Sequence, residues 1–424
     1  MRVAVWGSPD PAASTLAGAG VRGLVLPQLF YAKPDGRWGP LLVEPGSDLA
    51  TSDFTSARFR LRAGASWSDG SPIGVDDLRR SADARFVAAL EGPLADGTIT
   101  VRFTQPLPGW RRLWSLDSSV SPPRPGIWGG PFVVASATPG LEVVLHPNPA
   151  WPGPRPFLDE VRLVLVPDAT TARQLLAAGE VDVVAPPAET RRTPRLEAIP
   201  GVRVDAAAAD GGWWVGLLQQ PDRLDVNRRR SLAATIDRAR FVSVLLQGEA
   251  GRLDGLGGAD DATWSGVGWV GASSAQAVEG LSGATVDLVG QIEEPMTGLL
   301  HRSMQKRTRD AGGRLELRAA EADRVEGWLA ERSYDAAIVL LFDGPSVCWT
   351  CRWGNVDPSL AAAADSGDLG AVAALEAKLA AENLVVPLWR PRAVVAWREE
   401  VVAPLRANPY GLSPAWDAWR WHRP

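Results

Sequence analysis

The sequence is poor in the residues from which most catalytic and metal centres are built. Its 424 residues include two cysteines and three histidines, His146, His301 and His422. A histidine-coordinated metal or a histidine-based acid–base centre therefore has few places to form. Lysine is almost absent, since of 44 basic residues only Lys33, Lys306 and Lys378 are lysines. Arginine in its place, with much alanine, glycine and proline, matches the coding bias of a GC-rich genome and carries no mechanism. Positive charge is not in excess either. A formal net charge of -5 and a pI near 5.5 leave no basic footprint for nucleic acid or an anionic membrane. No run approaches the roughly 18 apolar residues of a membrane-spanning helix. The opening MRVAVWGSPDP lacks the charged, apolar and cleavable regions of a secretory signal. Either a leader preceded Met1 and the protein is extracytoplasmic, or the chain is full length and cytoplasmic.

What is present is an ordinary globular composition, 46% hydrophobic and 22% charged. The length suggests two or three domains or one two-lobed body. The chain also carries 19 tryptophans, several times the usual share. Tryptophan joins a flat apolar face to one N–H donor, which suits ligand stacking and large cores alike.

The patterning reads as α/β. Residues 2–6 alternate as a strand, followed by a Pro/Gly/Ala loop to about Gly20, and Val21–Phe30 is apolar enough to lie under cover. Tyr31–Pro40 and Trp67–Gly70 are turns, Phe59–Arg62 is a strand, and Val75–Ala89 has helical spacing with Asp76 and Asp77 in its first turn. Strands are expected at Leu141–Leu145, Val161–Val166 and Val181–Val184. Asp168 is a plausible N-cap for Thr170–Ala178, with Gly179 as its C′ residue. Asp225 can cap a long helix running to Leu246. After a Gly-rich stretch at 251–284, strands at Val286–Val289, Arg314–Arg318 and Ala336–Phe342 alternate with helices at Pro295–Ala311 and Glu321–Arg332. That alternation favours a parallel sheet covered on both faces. Ala371–Glu382 is a last helix before an extended, Trp-rich tail.

Short motifs exclude more than they assign. Gly18–Gly23 fits G-x-G-x-x-G, but eleven residues, two of them prolines, separate it from the strand ending at Trp6. It reads as a loop rather than a dinucleotide site. Cys348-Trp349-Thr350-Cys351 follows a predicted strand, yet Asp343–Ser346 intervenes, so a structural disulfide or two idle thiols fit better than redox chemistry. There is no second cysteine pair for zinc, no G-x-S-x-G and no H-E-x-x-H. Tryptophans cluster at Trp213-Trp214 and around Arg352, where Trp349 and Trp353 follow a buried strand. In open α/β sheets ligands bind beyond the carboxyl ends of strands, which makes this aromatic segment the candidate site. Trp397, Trp416, Trp419 and Trp421 read as core cover.

Several segments, in order, resemble the family 5 extracellular solute-binding proteins, the peptide-, dipeptide- and nickel-type receptors of ABC importers. Phe59–Asp77, FRLRAGASWSDGSPIGVDD, is the most specific. Pro9-Asp10-Pro11, Leu29–Pro45, Gly130–Val161 with His146–Trp151 and Pro156–Glu160, Ala178–Asp182, Asp225–Arg238, Tyr334-Asp335 and Asn355–Pro358 also resemble family segments. The resemblance implies a type II periplasmic-binding-protein-like α/β fold of the peptide-receptor subclass, with two lobes closing on a small polar or peptide-like solute and no catalysis. Lobe I would hold 1–216 and 392–424, with a trimmed accessory subdomain at about 46–130, and lobe II would hold 217–391. Trp213–Leu218 and about Trp389–Trp397 would be the crossings. Ligand-binding residues are expected at Trp213, Trp349, Arg352, Trp353, Gly354 and Asn355, with no metal and no cofactor. The partners would be a small-molecule or peptide-like ligand and ABC permease subunits, bound by a monomer. In peptide receptors an aspartate ahead of the Asp-Pro pair holds the peptide's α-amino group, and here that position is Gly354. An intracellular biosynthetic or sequestering protein on the same scaffold, and a carbohydrate-active hydrolase with paired carboxylates, are the alternatives.

Overall fold

The computed structural model describes residues 1–6, 16–33, 37–84, 86–104, 106–107, 109–115, 119–186, 192–207, 213–253, 279–291, 295–342, 353, 356–365, 368–401, 405–407, 415 and 417–422. The fold is mixed α/β and is organised around two large sheets. The first has seven strands in the order Val202–Ala206, Val394–Arg398, Val183–Val184, Arg2–Val5, Val161–Leu165, Glu142–Pro147, Phe132–Thr138. Arg2–Val5 runs parallel to both neighbours, and the remaining pairs are antiparallel. The second has six strands in the order Ala250–Arg252, Val385–Pro391, Trp213–Gln219, Ala336–Phe342, Thr285–Gln291, Arg314–Ala320. Only its last three are mutually parallel. The expectation of a parallel sheet therefore holds for the helix-connected strands alone. Val385–Pro391 passes to the other sheet through two residues without a helical crossover, so nothing requires it to run parallel.

Strand Trp213–Gln219 lies wholly in the second sheet, paired on both edges. The first passage between sheets therefore precedes Trp213. The second is two residues long, Arg392 and Ala393, between Val385–Pro391 and Val394–Arg398. A third, four-stranded sheet, Leu49–Ala50, Ser56–Arg60, Thr98–Phe103 and Val87–Glu91, shares its apolar core with the first. Phe59 and Trp110 stack there at 6.2 Å, and Phe30 meets Trp110 edge-on at 5.2 Å.

Three sequence expectations fail for physical reasons. Residues read as a loop before Gly20 begin a helix, Leu16–Val25. Its face at Val21, Leu24 and Val25 is fully buried, so packing overrides the poor helix propensity of its glycines. The glycines of the G-x-G-x-x-G string thus lie inside a helix and form no phosphate-binding turn. The Val75 helix ends at Arg80, and Val87–Glu91 is instead a strand on Thr98–Phe103. Its long-range pairing partner is invisible to a helical-period count. The long helix after Asp225 breaks in two at Thr235–Asp237. Asp225 caps the first piece through the Arg228 N–H at 2.9 Å, and Asp237 caps the second through the Arg240 N–H at 3.0 Å. The Asp168 cap and left-handed Gly179 stand where the sequence placed them.

Two residues of the segments that resemble the family, Asn148 and Gly130, hold the backbone. Asn148 is buried, donates from Nδ2 to the Gly130 carbonyl at 2.8 Å, and accepts from the Ala150 N–H at 3.0 Å. Gly130 has no room for a side chain: a Cβ would stand 2.5 Å from the Leu24 carbonyl oxygen and 2.7 Å from the Val25 carbonyl carbon. Gly130→Ala should cost about 1–3 kcal/mol of unfolding free energy by overpacking against backbone, read by urea denaturation. A wild-type midpoint would contradict this.

In the tail, Trp419 and Trp421 are buried and Trp397 packs against the first core, while Trp416 lies outside the described residues. Asp417 is buried with them and accepts from Trp421 Nε1 at 2.8 Å. Burial pushes its carboxyl from 3.8 up to about 6, against the lowering effect of that hydrogen bond. The folded state thus favours the protonated acid. Its contribution is full below about pH 4 and is lost as pH rises towards 6. Asp417→Asn keeps an acceptor for Trp421 and removes the titration. Thermal melts should show the variant gaining on wild type between pH 4.5 and 7; parallel curves would contradict it.

Candidate ligand site

The carboxyl end of the buried strand Ala336–Phe342 positions the candidate site. Phe342 stands in register with Trp213, so the segment that leaves the strand starts beside the first tryptophan of the neighbouring one. Of the six expected ligand residues, Trp349, Arg352, Gly354 and Asn355 lie outside the described residues, as do Cys348 and Cys351. For Trp213 the backbone position alone is described. Trp353 is half-buried and packs against a cluster containing Trp214, Tyr334, Val372 and Leu375. Its carbonyl accepts the N–H groups of Val356 at 2.9 Å and Asp357 at 3.2 Å, closing a turn.

That turn is anchored by a residue the sequence reading did not single out. Lys378, on helix Leu369–Ala381, places Nζ 3.1 Å from both the Val356 carbonyl and Asp357 Oδ2. Asp357 Oδ1 in turn accepts the Leu360 N–H at 3.0 Å and so caps helix Pro358–Asp365. The Leu360 N–H, and after it the Lys378 side chain, hold the Asp357 carboxyl below the usual range. The anchor is therefore intact above the ordinary carboxylate pKa and is lost as pH falls through the lowered one. Its only sequence signal was the rarity of lysine.

The first sheet presents a second aromatic. Trp6 follows Val5 at the carboxyl end of the one described strand of that sheet with parallel neighbours on both sides. It is half-buried against a cluster with Val166 and Leu176, and its Nε1 is buried without a hydrogen-bond partner among the described residues. In the sequence it marks only the end of a strand. Among the described residues no group of three or more His, Cys, Asp or Glu could hold a metal ion, and no helix is long and apolar enough to cross a membrane.

The model of the bacterial extracellular solute-binding proteins, family 5 (middle), matches residues 44–269, just over half of the chain. The chain belongs to this family. The match takes in the Phe59–Asp77 segment on which the resemblance chiefly rested. The probable deoxycholate-binding periplasmic protein YgiS of Escherichia coli strain K12 is 24% identical over 234 residues, 44% of this chain and 43% of that protein. The aligned part thus spans less than half the length of this curated relative. Two solved structures share the type II, peptide-receptor fold over the whole chain. The dipeptide-binding protein of Pseudoalteromonas sp. SM9913, in complex with Met-Leu, has a TM-score of 0.82 at 13% identity and covers 100% of both chains. The periplasmic EDTA-binding protein EppA has a TM-score of 0.79 at 19% identity and covers 100% of this chain and 96% of that one.

Lys378→Met should free the turn after Trp353. Amide exchange at 356–361 should rise roughly two- to five-fold at pH 7, with little change in melting temperature. Unchanged exchange in this family 5 protein would mean that the lysine anchors nothing.

Proposed function

We propose that the chain is the ligand-capturing receptor of an ABC importer, closing two lobes on a small anionic or amine-blocked solute. The observation that carries the reading is the architecture of a family 5 member. Two mixed sheets, each with its own buried apolar clusters, are joined by two short passages. The lobes would hold about 1–216 with 392–424, and 217–391. The strand Trp213–Gln219 favours setting the first boundary just ahead of Trp213. Ligand enters between open lobes, stacks on Trp213, Trp349 and Trp353, and shifts the population towards the closed form. A permease then reads that closed shape. The receptor acts as a monomer outside the cytoplasm and makes or breaks no bond.

The ligand class follows from Gly354 and Arg352. A buried ammonium facing no carboxylate is costly, and Gly354 supplies none where peptide receptors carry aspartate. Arg352 beside it offers a fork suited to a carboxylate. Deoxycholate and EDTA, named for YgiS and EppA, both carry carboxylates, in keeping with such a ligand. Calorimetry against di- to pentapeptide pools should show no micromolar binding through a free N-terminus, whereas a panel of small carboxylates should contain a binder. Tight binding of free-amine peptides would refute the ligand class. Each aromatic face is worth about 1–3 kcal/mol, so Trp349→Ala or Trp353→Ala should weaken that binding roughly ten- to a hundred-fold. The melting temperature should barely move; equal loss of stability and affinity would make these residues core.

A further inference from the structure

A charged pair with both side chains buried spans the two sheets. Arg192 and Glu249 are 2% and 4% exposed, with Nε 3.1 Å from Oε2. Arg192 opens helix Arg192–Glu197, which packs through the fully buried Leu196 on an apolar cluster of the first sheet. Glu249 belongs to the other side. It follows Gln247 and Gly248, whose φ values of 49° and 86° turn the chain sharply, and precedes edge strand Ala250–Arg252 of the second sheet.

Every side-chain bond shown for the Glu249 carboxylate comes from across the divide. Besides Arg192 Nε, Oε1 accepts the Thr193 N–H at 2.7 Å and Oε2 accepts the Thr193 hydroxyl at 3.1 Å. Arg192 uses its other nitrogens on the Pro186 carbonyl, 2.9 Å, and on the Arg392 carbonyl, 2.8 Å. Arg392 is itself in the two-residue passage. Its N–H donates to the Glu249 carbonyl at 2.9 Å and its Nε to the Ala207 carbonyl at 3.1 Å, while the Ala207 N–H donates to the Ala393 carbonyl at 2.9 Å. The pair and the passage are thus one continuous polar network.

We infer that Arg192 and Glu249 are positioning residues that form the pivot of lobe movement, staying paired in open and closed forms and confining the motion to rotation about an axis through them. The inference rests on the two-lobed receptor reading. Sliding one body past the other here would stretch all these short, directional bonds together, whereas rotation about this point stretches few. Separating the pair would strand a buried charge, which is strongly unfavourable. Net stability is not the argument, because buried pairs are often replaceable by apolar side chains without loss. The pair's contribution is geometric.

The test measures interlobe distances in the full chain without ligand. Spin labels attached through keto-bearing amino acids at exposed Ala177 and Ser303, one on each body, leave the native cysteines untouched. Wild type should give a narrow distance distribution. Arg192→Met/Glu249→Leu, which removes both charges and strands neither, should melt near wild type while the width at least doubles. Thr193→Val, which keeps the charges and removes the hydroxyl bond, should widen it by less. A wild-type width in the double variant overturns the inference. If the double variant does not fold, Thr193→Val decides by the same criterion, with widening for and no change against. Because no ligand is needed, a wild-type protein that binds no solute would refute the receptor reading while these widths still judge the pivot.

Discussion

Among the described residues, the relative placement of two separately packed bodies depends on polar bonds beside the two passages that join them. Among the described residues no buried apolar cluster draws on both sheets. The hydrophobic effect is non-directional and scales with buried area, so it stabilises each body without fixing one against the other. Hydrogen bonds and a buried ion pair are directional, and those seen at Arg392, Ala393, Ala207, Arg192 and Glu249 supply the orientation. A molecule built this way can be rigid within each half and mobile between them. A capture device needs both properties.

In the first body, several residues of the segments that mark the family hold the backbone in place. Asn148 and Gly130 close a loop against the Leu16–Val25 helix. In the Trp-Ser-Asp-Gly turn, Trp67 is buried in the first core, and left-handed Gly70 donates its N–H to the Trp67 carbonyl at 2.9 Å. Such positions can be held while the ligand changes. In the proposed receptor, the chemistry that distinguishes one solute from another would be left to a few side chains on the segment following Ala336–Phe342.

The sequence revealed what is local. The Asp168 cap, the Gly179 stop and the apolar run Ala336–Phe342 each carry their signal within a few residues, and all three stand as read. Features set by distant partners did not show. Val87–Glu91 becomes a strand only because Thr98–Phe103 lies beside it. The glycines at 18–23 become helical because a core covers Val21 and Leu24. The candidate site is proposed from its tryptophans, whereas Lys378 and Trp6 gave no such signal, since their placement comes from contacts made by folding. Arg192 and Glu249, 57 positions apart, offered no pattern at all.

Capture without chemistry is tested most directly by native mass spectrometry of the gently purified protein, before and after incubation with small-molecule extract of its growth medium. The expected result is a single solute bound one-to-one and recovered chemically unchanged. No bound solute at any extract concentration, or a solute recovered in altered form, would contradict it.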